Sequence, residues 1–165
     1  MTLEELARIF SENMKELTDY IEGTDIKDMI GTEAIDHFQA SFDNEGFTDK
    51  KLEPWEDVKR RDEDSSWYGR SGQTGKFSPV RTTANILIGE TRNLRNGIYY
   101  VHKDMGVRIT SPTAYGRVHQ FGLLAKVYGK VDFQMTARPF MGKSILLKNN
   151  IEDKIKREII KILKR

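Results

Sequence analysis

The chain contains no cysteine, which removes disulfides, zinc–thiolate centres and thiol catalysis. The absence fits a reducing cytoplasm. No run of about 18 apolar residues occurs, so no transmembrane helix is expected. The N-terminus is acidic and amphipathic, with neither the basic start nor the apolar centre of a signal peptide. Histidines are scarce: His37, His102 and His119. None forms a His-x-x-x-His or His-x-x-Glu-His pair, so the sequence supports no metal site. His37 falls in a helical pattern beside Phe38 and His102 near a hairpin turn, and both read as structural or solvated. No Gly-x-Ser-x-Gly elbow offers a serine nucleophile. Carboxylates are abundant, but no acid–base pair stands out by spacing. The chain therefore reads as a protein without catalytic residues, cofactor or metal.

One stretch imitates a phosphate-binding loop, Gly69-Arg70-Ser71-Gly72-Gln73-Thr74-Gly75-Lys76. A real one needs a glycine separated by four residues from the Gly-Lys pair, Ser or Thr after the lysine to hold magnesium, and a strand in front. Arg70 and Phe77 occupy those two places, and no apolar strand precedes them. The stretch reads as a basic loop rather than as a nucleotide hydrolase.

What is present suits one domain over residues 1–165. Charged residues make up 32% and apolar residues 38%, which is polar, yet 10% aromatics argue against disorder. The net charge of +2 hides an asymmetry. Residues 1–64 carry 19 acids and 8 bases, net −11, whereas residues 65–165 carry 6 acids and 19 bases, net +13. Either the folded subunit presents two surfaces of opposite sign, which favours head-to-tail association, or the halves pair within one subunit.

Leu3, Leu6, Ala7, Phe10, Met14, Leu17 and Ile21 recur every three or four residues and predict a first amphipathic helix. Thr2 with Glu5 forms its capping box, and Gly23 stops it. Ile26, Ile30, Ala34, Phe38 and Phe42 predict a second helix from about Ile26 to Asn44. Gly31 speaks against it, since glycine costs about 1 kcal/mol inside a helix. Residues 46–83 are polar and densely charged, and about 59–83 read as a mobile loop anchored by a few aromatics. Beyond it, Ile86-Leu87-Ile88 restore order. Gly97–His102 and Val107–Thr110 predict a hairpin across Lys103–Gly106. Tyr115–Gly122 is a compact, partly aromatic segment that fits a helical turn, and His119–Gly122 within it read as a turn, with Phe121 inward and Gly122 free to take positive φ. Lys126–Thr136 read as strand with a turn at Gly129. Ile151, Ile155, Ile159, Ile162 and Leu163 line one face of a last helix with a basic end. The expected class is α+β: two N-terminal helices and a C-terminal helix on a small antiparallel sheet, with a long flexible loop.

Three stretches, in order, resemble the phage virion morphogenesis family, tail-completion proteins of contractile-tailed phages. They are Phe47–Val58 with Pro54-Trp55; Ile86-Leu87-Ile88 followed by Thr91, Leu94 and a strand; and Tyr115, His119-Gln120-Phe121-Gly122 with Ala137-Arg138-Pro139-Phe140-Met141-Gly142. The last is the most specific. Where the family has Thr-Gly, this chain has Thr91-Arg92, with one inserted residue before Leu94. The resemblance implies a protein that completes the tail for joining to a filled head. It implies self-association into a ring, hexameric by analogy with tail symmetry, and tail-tube or neck proteins as partners. Within such a ring the basic second half is expected to make non-specific contact with DNA in the channel, and no membrane is expected. Location would be the host cytoplasm during assembly, then the virion. Trp55, Thr91, Leu94, Tyr115, His119, Gln120, Phe121, Gly122, Arg138, Pro139 and Phe140 are candidates for structural or subunit-contact roles. On physical grounds Arg138-Pro139 is held extended, and Phe140 with Met141 can lock the last helix onto the sheet. The competing reading is a non-specific DNA-binding accessory protein of a mobile element. It rests on Trp67, Tyr68, Phe77, Tyr99 and Tyr100 interleaved with bases in the second half.

Overall fold

The computed structural model describes residues 2–71, 74–89, 91–127 and 131–164. Its first two helices form where the apolar spacing puts them, α1 over Leu3–Glu22 and α2 over Asp25–Asp43. Thr2 and Glu5 close the expected capping box on α1. A short hairpin follows, β1 (Gly46–Thr48) and β2 (Leu52–Pro54). After a long irregular segment come a 3₁₀ turn at Pro79–Thr82 and a single helical turn, α3 (Asn93–Asn96). The predicted hairpin is present as β3 (Tyr99–Lys103) against β4 (Gly106–Thr110), with Lys103 opposite Gly106. Then follow α4 (Ala114–Phe121), the antiparallel pair β5 (Leu124–Val127) and β6 (Val131–Gln134), and α5 (Ile145–Leu163). The class is α+β. Among the described residues the strands form three separate two-stranded ladders rather than one sheet. The turn expected at Gly129 lies outside the described residues, as do Glu90 of the second motif and Gly72 and Gln73 of the basic loop.

The core is built on α2. Phe42 is fully buried, with Trp55 edge-on at 5.9 Å and Phe140 at 5.1 Å between ring centroids. Ala34, Phe38, Ile86, Leu94, Ile98 and Leu147 complete it. Gly31, which spoke against this helix, has a packing reason. A Cβ there would stand 2.5 Å from the Tyr100 ring. Tyr100 thus lies against bare helix backbone, and its hydroxyl donates to Asp28 at 2.9 Å. His102 Nε2 reaches the same carboxylate at 2.7 Å.

The open question of the two charged halves has a partial answer. Asp43 pairs with Arg95 at 2.7 Å, and Glu33 pairs with Lys154. With Asp28–His102, these contacts join α2 to the basic half within one subunit. Arg8 of α1, in contrast, pairs with Glu12 of the same helix at 3.7 Å.

The stretch between β2 and α3 is irregular but tied down. Arg60 donates to the carbonyls of Arg81, Ala84 and Asn85. Arg61 grips Glu45, which also accepts the Ile86 amide at 2.6 Å. In the basic loop, the Ser71 amide donates to the Lys76 carbonyl at 3.0 Å and the Gly75 amide to the Ser71 carbonyl at 2.8 Å. Those amides are satisfied within the loop, so they do not form an outward phosphate cradle.

Candidate subunit-contact site

The His-Gln-Phe-Gly and Ala-Arg-Pro-Phe motifs lie far apart from Pro-Trp in sequence and meet in space. α4 ends where Gly122 enters the left-handed region at φ +62°. A Cβ there would be 2.8 Å from the Met135 carbonyl oxygen, so glycine is required twice over, for conformation and for space. This end points Gln120 at the segment leading into α5. Its Oε1 accepts from the Phe140 amide at 3.0 Å and the Met141 amide at 3.2 Å, and its Nε2 donates to the Met141 carbonyl at 2.7 Å. The Arg138 amide donates to the His119 carbonyl at 2.7 Å.

Arg138 itself is 6% exposed. Its guanidinium donates to the Glu56 carbonyl at 3.0 Å and the Asp57 carbonyl at 3.4 Å. Burial lowers its pKa, with Glu56 and Asp57 opposing, yet an arginine stays charged. Beside it the Trp55 indole donates to the Pro139 carbonyl at 2.8 Å. The pairing of Trp55 with Pro139 explains why both motifs belong to one pattern. Phe140 is 2% exposed against Phe42 of α2. It therefore anchors to a helix, not to a sheet as the sequence suggested, and α5 starts only at Ile145, five residues after it.

His119 completes the cluster. Burial, and then the positive charge of Arg138, push its imidazole below the ordinary value, so it is neutral near pH 7. Its Nδ1 is buried without a hydrogen-bond partner among the described residues. Tyr115 covers it edge-on at 6.3 Å. Leu94 is buried and lies 3.2 Å from where a Cβ on Gly116 would be.

The remaining candidates separate from this knot. Phe121 is 63% exposed; the expected inward side chain is overturned because α4 runs on through His119–Phe121, where a turn was expected, which carries Gln120 inward and Phe121 outward. Tyr115, Pro139 and Thr91 are exposed as well. Thr91 precedes Arg92, which has φ +52° and ψ +23°. The arginine thus takes the left-handed conformation that favours glycine, at the place where the family pattern puts one. Phe121 borders an open groove of about 320 Å³ with Gly116, Arg117, Phe140, Met141 and Gly142.

Chemically this is a clamp. The polar groups of Trp55, Gln120 and Arg138 are spent on backbone carbonyls and amides. Among the described residues no group of three or more His, Asp or Glu side chains could hold a metal ion, and no helix is long and apolar enough to cross a membrane. A model of the phage virion morphogenesis family matches residues 53–160. The chain belongs to that family. The matched span runs from β2 into α5 and contains the whole clamp, while α1 and α2 lie outside it. No curated protein and no solved structure matches the chain. Membership of the virion morphogenesis family gives the protein a part in building phage particles. Two features escaped sequence reasoning. Glu45, which joins Arg61 to Ile86, sits at φ +52° in a polar stretch without any periodic signal. The outward orientation of the α1 stripe carries no sequence mark either.

Proposed function

We propose that this chain is a non-enzymatic tail-completion or neck protein of a contractile-tailed phage. It works as a ring, hexameric by analogy with tail symmetry, at the head-proximal end of the tail and enables head–tail joining. It needs no cofactor, assembles in the host cytoplasm and remains in the virion. Its partners are copies of itself and the tail-tube or neck proteins of the same phage. The observation that carries this reading is the fate of the family motif. Trp55, Gln120, Arg138 and Phe140 are consumed in holding α4 to the chain entering α5. The motif thus builds a rigid platform and offers its outer side chains, Tyr115 and Phe121, to a neighbour.

Electron micrographs of tails from a strain lacking this reading frame test the proposal. Tails of aberrant length, or complete tails lying free beside filled heads, are expected. Normal tails joined to heads would refute it.

Contact with DNA has one specific support. The outer face of the β3–β4 hairpin exposes Tyr99, Val101 and Lys103, with Arg108 opposite Val101. Such a face would give weak affinity that falls steeply with salt. Duplex binding measured from low to physiological salt tests it; tight binding without self-association would favour a DNA-binding accessory protein instead.

A further inference from the structure

Helix α1 is the most amphipathic element of the chain, yet none of its residues is buried. Its half-buried positions are Ile9, Asn13, Glu16, Leu17 and Tyr20. The apolar stripe lies about a quarter of a turn away, leaving Leu3 83%, Leu6 48%, Phe10 65% and Met14 40% exposed. Within one subunit α1 rests on α5 and α2. Its helix carries six acids, Glu4, Glu5, Glu12, Glu16, Asp19 and Glu22, against Arg8 and Lys15.

A second apolar surface lies at α4 and the β5–β6 pair. Phe121 is 63% exposed, Leu124 67%, Phe133 44% and Leu123 40%. The open groove beside Phe121 is floored by Phe140, Met141 and the glycines 116 and 142. The exposed charges on these elements are Arg117 and Lys126 against Asp132, and Lys143 follows Gly142 of the groove.

We infer that α1 of one subunit docks on the exposed apolar surface of α4 and the β5–β6 pair of a second copy, at the groove beside Phe121. The inference rests on the ring reading and deepens it by naming the two contact surfaces. The spacing Leu3, Leu6, Phe10, Met14 is that of a helix laid into a groove. Glu4 and Glu22 are the acids nearest the stripe, and the helix as a whole is net acidic; that charge complements the bases around the groove and favours one orientation. An acidic helix also suits a protein partner better than an anionic membrane, which selects helices with a basic polar face. The two surfaces differ, so the contact is heterologous. Every subunit then keeps a free helix and a free groove until the chain of contacts closes.

The absence of cysteine makes the test clean. Phe10→Cys and Phe121→Cys are introduced into separate full-length chains at exposed positions. Oxidation of the mixture is expected to yield a disulfide-linked pair of one Phe10→Cys chain with one Phe121→Cys chain. Neither variant alone should cross-link to itself comparably. The double charge reversal Glu4→Lys and Glu22→Lys, at the acids nearest the stripe, should reduce the mixed product at least tenfold, and adding Arg117→Glu with Lys126→Glu to the groove partner should restore it. Thermal melts of each variant show whether folding is intact. Preferential pairing of Phe10→Cys with itself overturns the inference, as does equal yield with and without the charge reversal. A chain that sediments as an oligomer but never links these positions also overturns it, while leaving the ring reading intact. Normal head-joined tails in the deletion strain would instead sink the ring reading, whatever the cross-link shows.

Discussion

Helices α1 and α5 are of nearly equal length, 20 and 19 residues, and both carry an apolar stripe. They end up in opposite situations. α5 buries Leu147 and Ile162 and is fastened at its start, where Ser144 accepts from the Leu147 amide and Asp49 accepts from the Ile145 amide at 2.8 Å. Lys154 ties its middle to Glu33 of α2. α1 is capped only by its own Thr2–Glu5 box and turns its stripe outward. Amphipathicity therefore says that a face needs covering, not whether the cover comes from the same chain. Here the stripe of α5 is fastened within the subunit, whereas that of α1 faces outward.

The contrast can be broken most forcefully at the anchor in front of α5. Phe140→Ala removes a ring 2% exposed and is expected to cost about 3–5 kcal/mol in chemical denaturation. A loss below 1 kcal/mol would mean that α5 is no better held than α1. Gln120→Ala leaves the Phe140 and Met141 amides without their acceptor, and an expected loss of about 2–3 kcal/mol follows from stranding buried donors. Gln120→Glu keeps the acceptor for both amides but loses the donor to Met141, so it should recover part of that loss.

Glu45 sharpens the comparison by pH. The hydrogen bond from Arg61 holds its carboxyl below the usual range, with burial opposing. A group whose folded pKa lies below its unfolded one stabilises above the unfolded value, and that contribution disappears as pH falls through the folded one. Glu45→Gln should therefore cost about 1–3 kcal/mol at neutral pH, and the gap to the parent should close below about pH 4. A gap constant from pH 7 to pH 3 would remove the Glu45–Arg61 pair from the core. Relieving the left-handed arginine with Arg92→Gly should raise stability by about 0.5 kcal/mol, strain relief slightly outweighing the entropy of an added glycine. The smallest effect belongs to α1. Phe10→Ala should change the stability of the isolated subunit by less than about 0.5 kcal/mol, as exposed positions do. A loss comparable to Phe140→Ala would show that α1 is covered within its own subunit.

Much of the architecture was legible in the residues. The periodic helices, the capping box and the β3–β4 turn came from local chemistry, which acts within a few residues. Gly31 looked like a fault in α2 because its reason, Tyr100, lies on a distant hairpin. The β1–β2 hairpin went unread because Gly46–Pro54 has no alternating apolar pattern. α4 was expected as no more than a helical turn, with His119–Gly122 as a turn, since its few apolar positions and Gly116 give no helical stripe, and Phe121 was consequently expected inward. The clamp's residues were named from the family motif, but what joins them could not be. The bonds run through backbone carbonyls, which every residue possesses and no sequence pattern marks.

That clamp also has a consequence in time. Trp55 waits for Pro139, Ser41 for Phe140, Asp49 for Ser144, and Glu33 for Lys154. At a synthesis rate of about 5–20 residues per second, α2 stays without Phe140 for roughly 5–20 s after it has been made. The core shuts only once the segment around Phe140 has emerged. A truncated chain would thus fail to fold, not merely fold short, and incomplete subunits would exclude themselves from the growing particle.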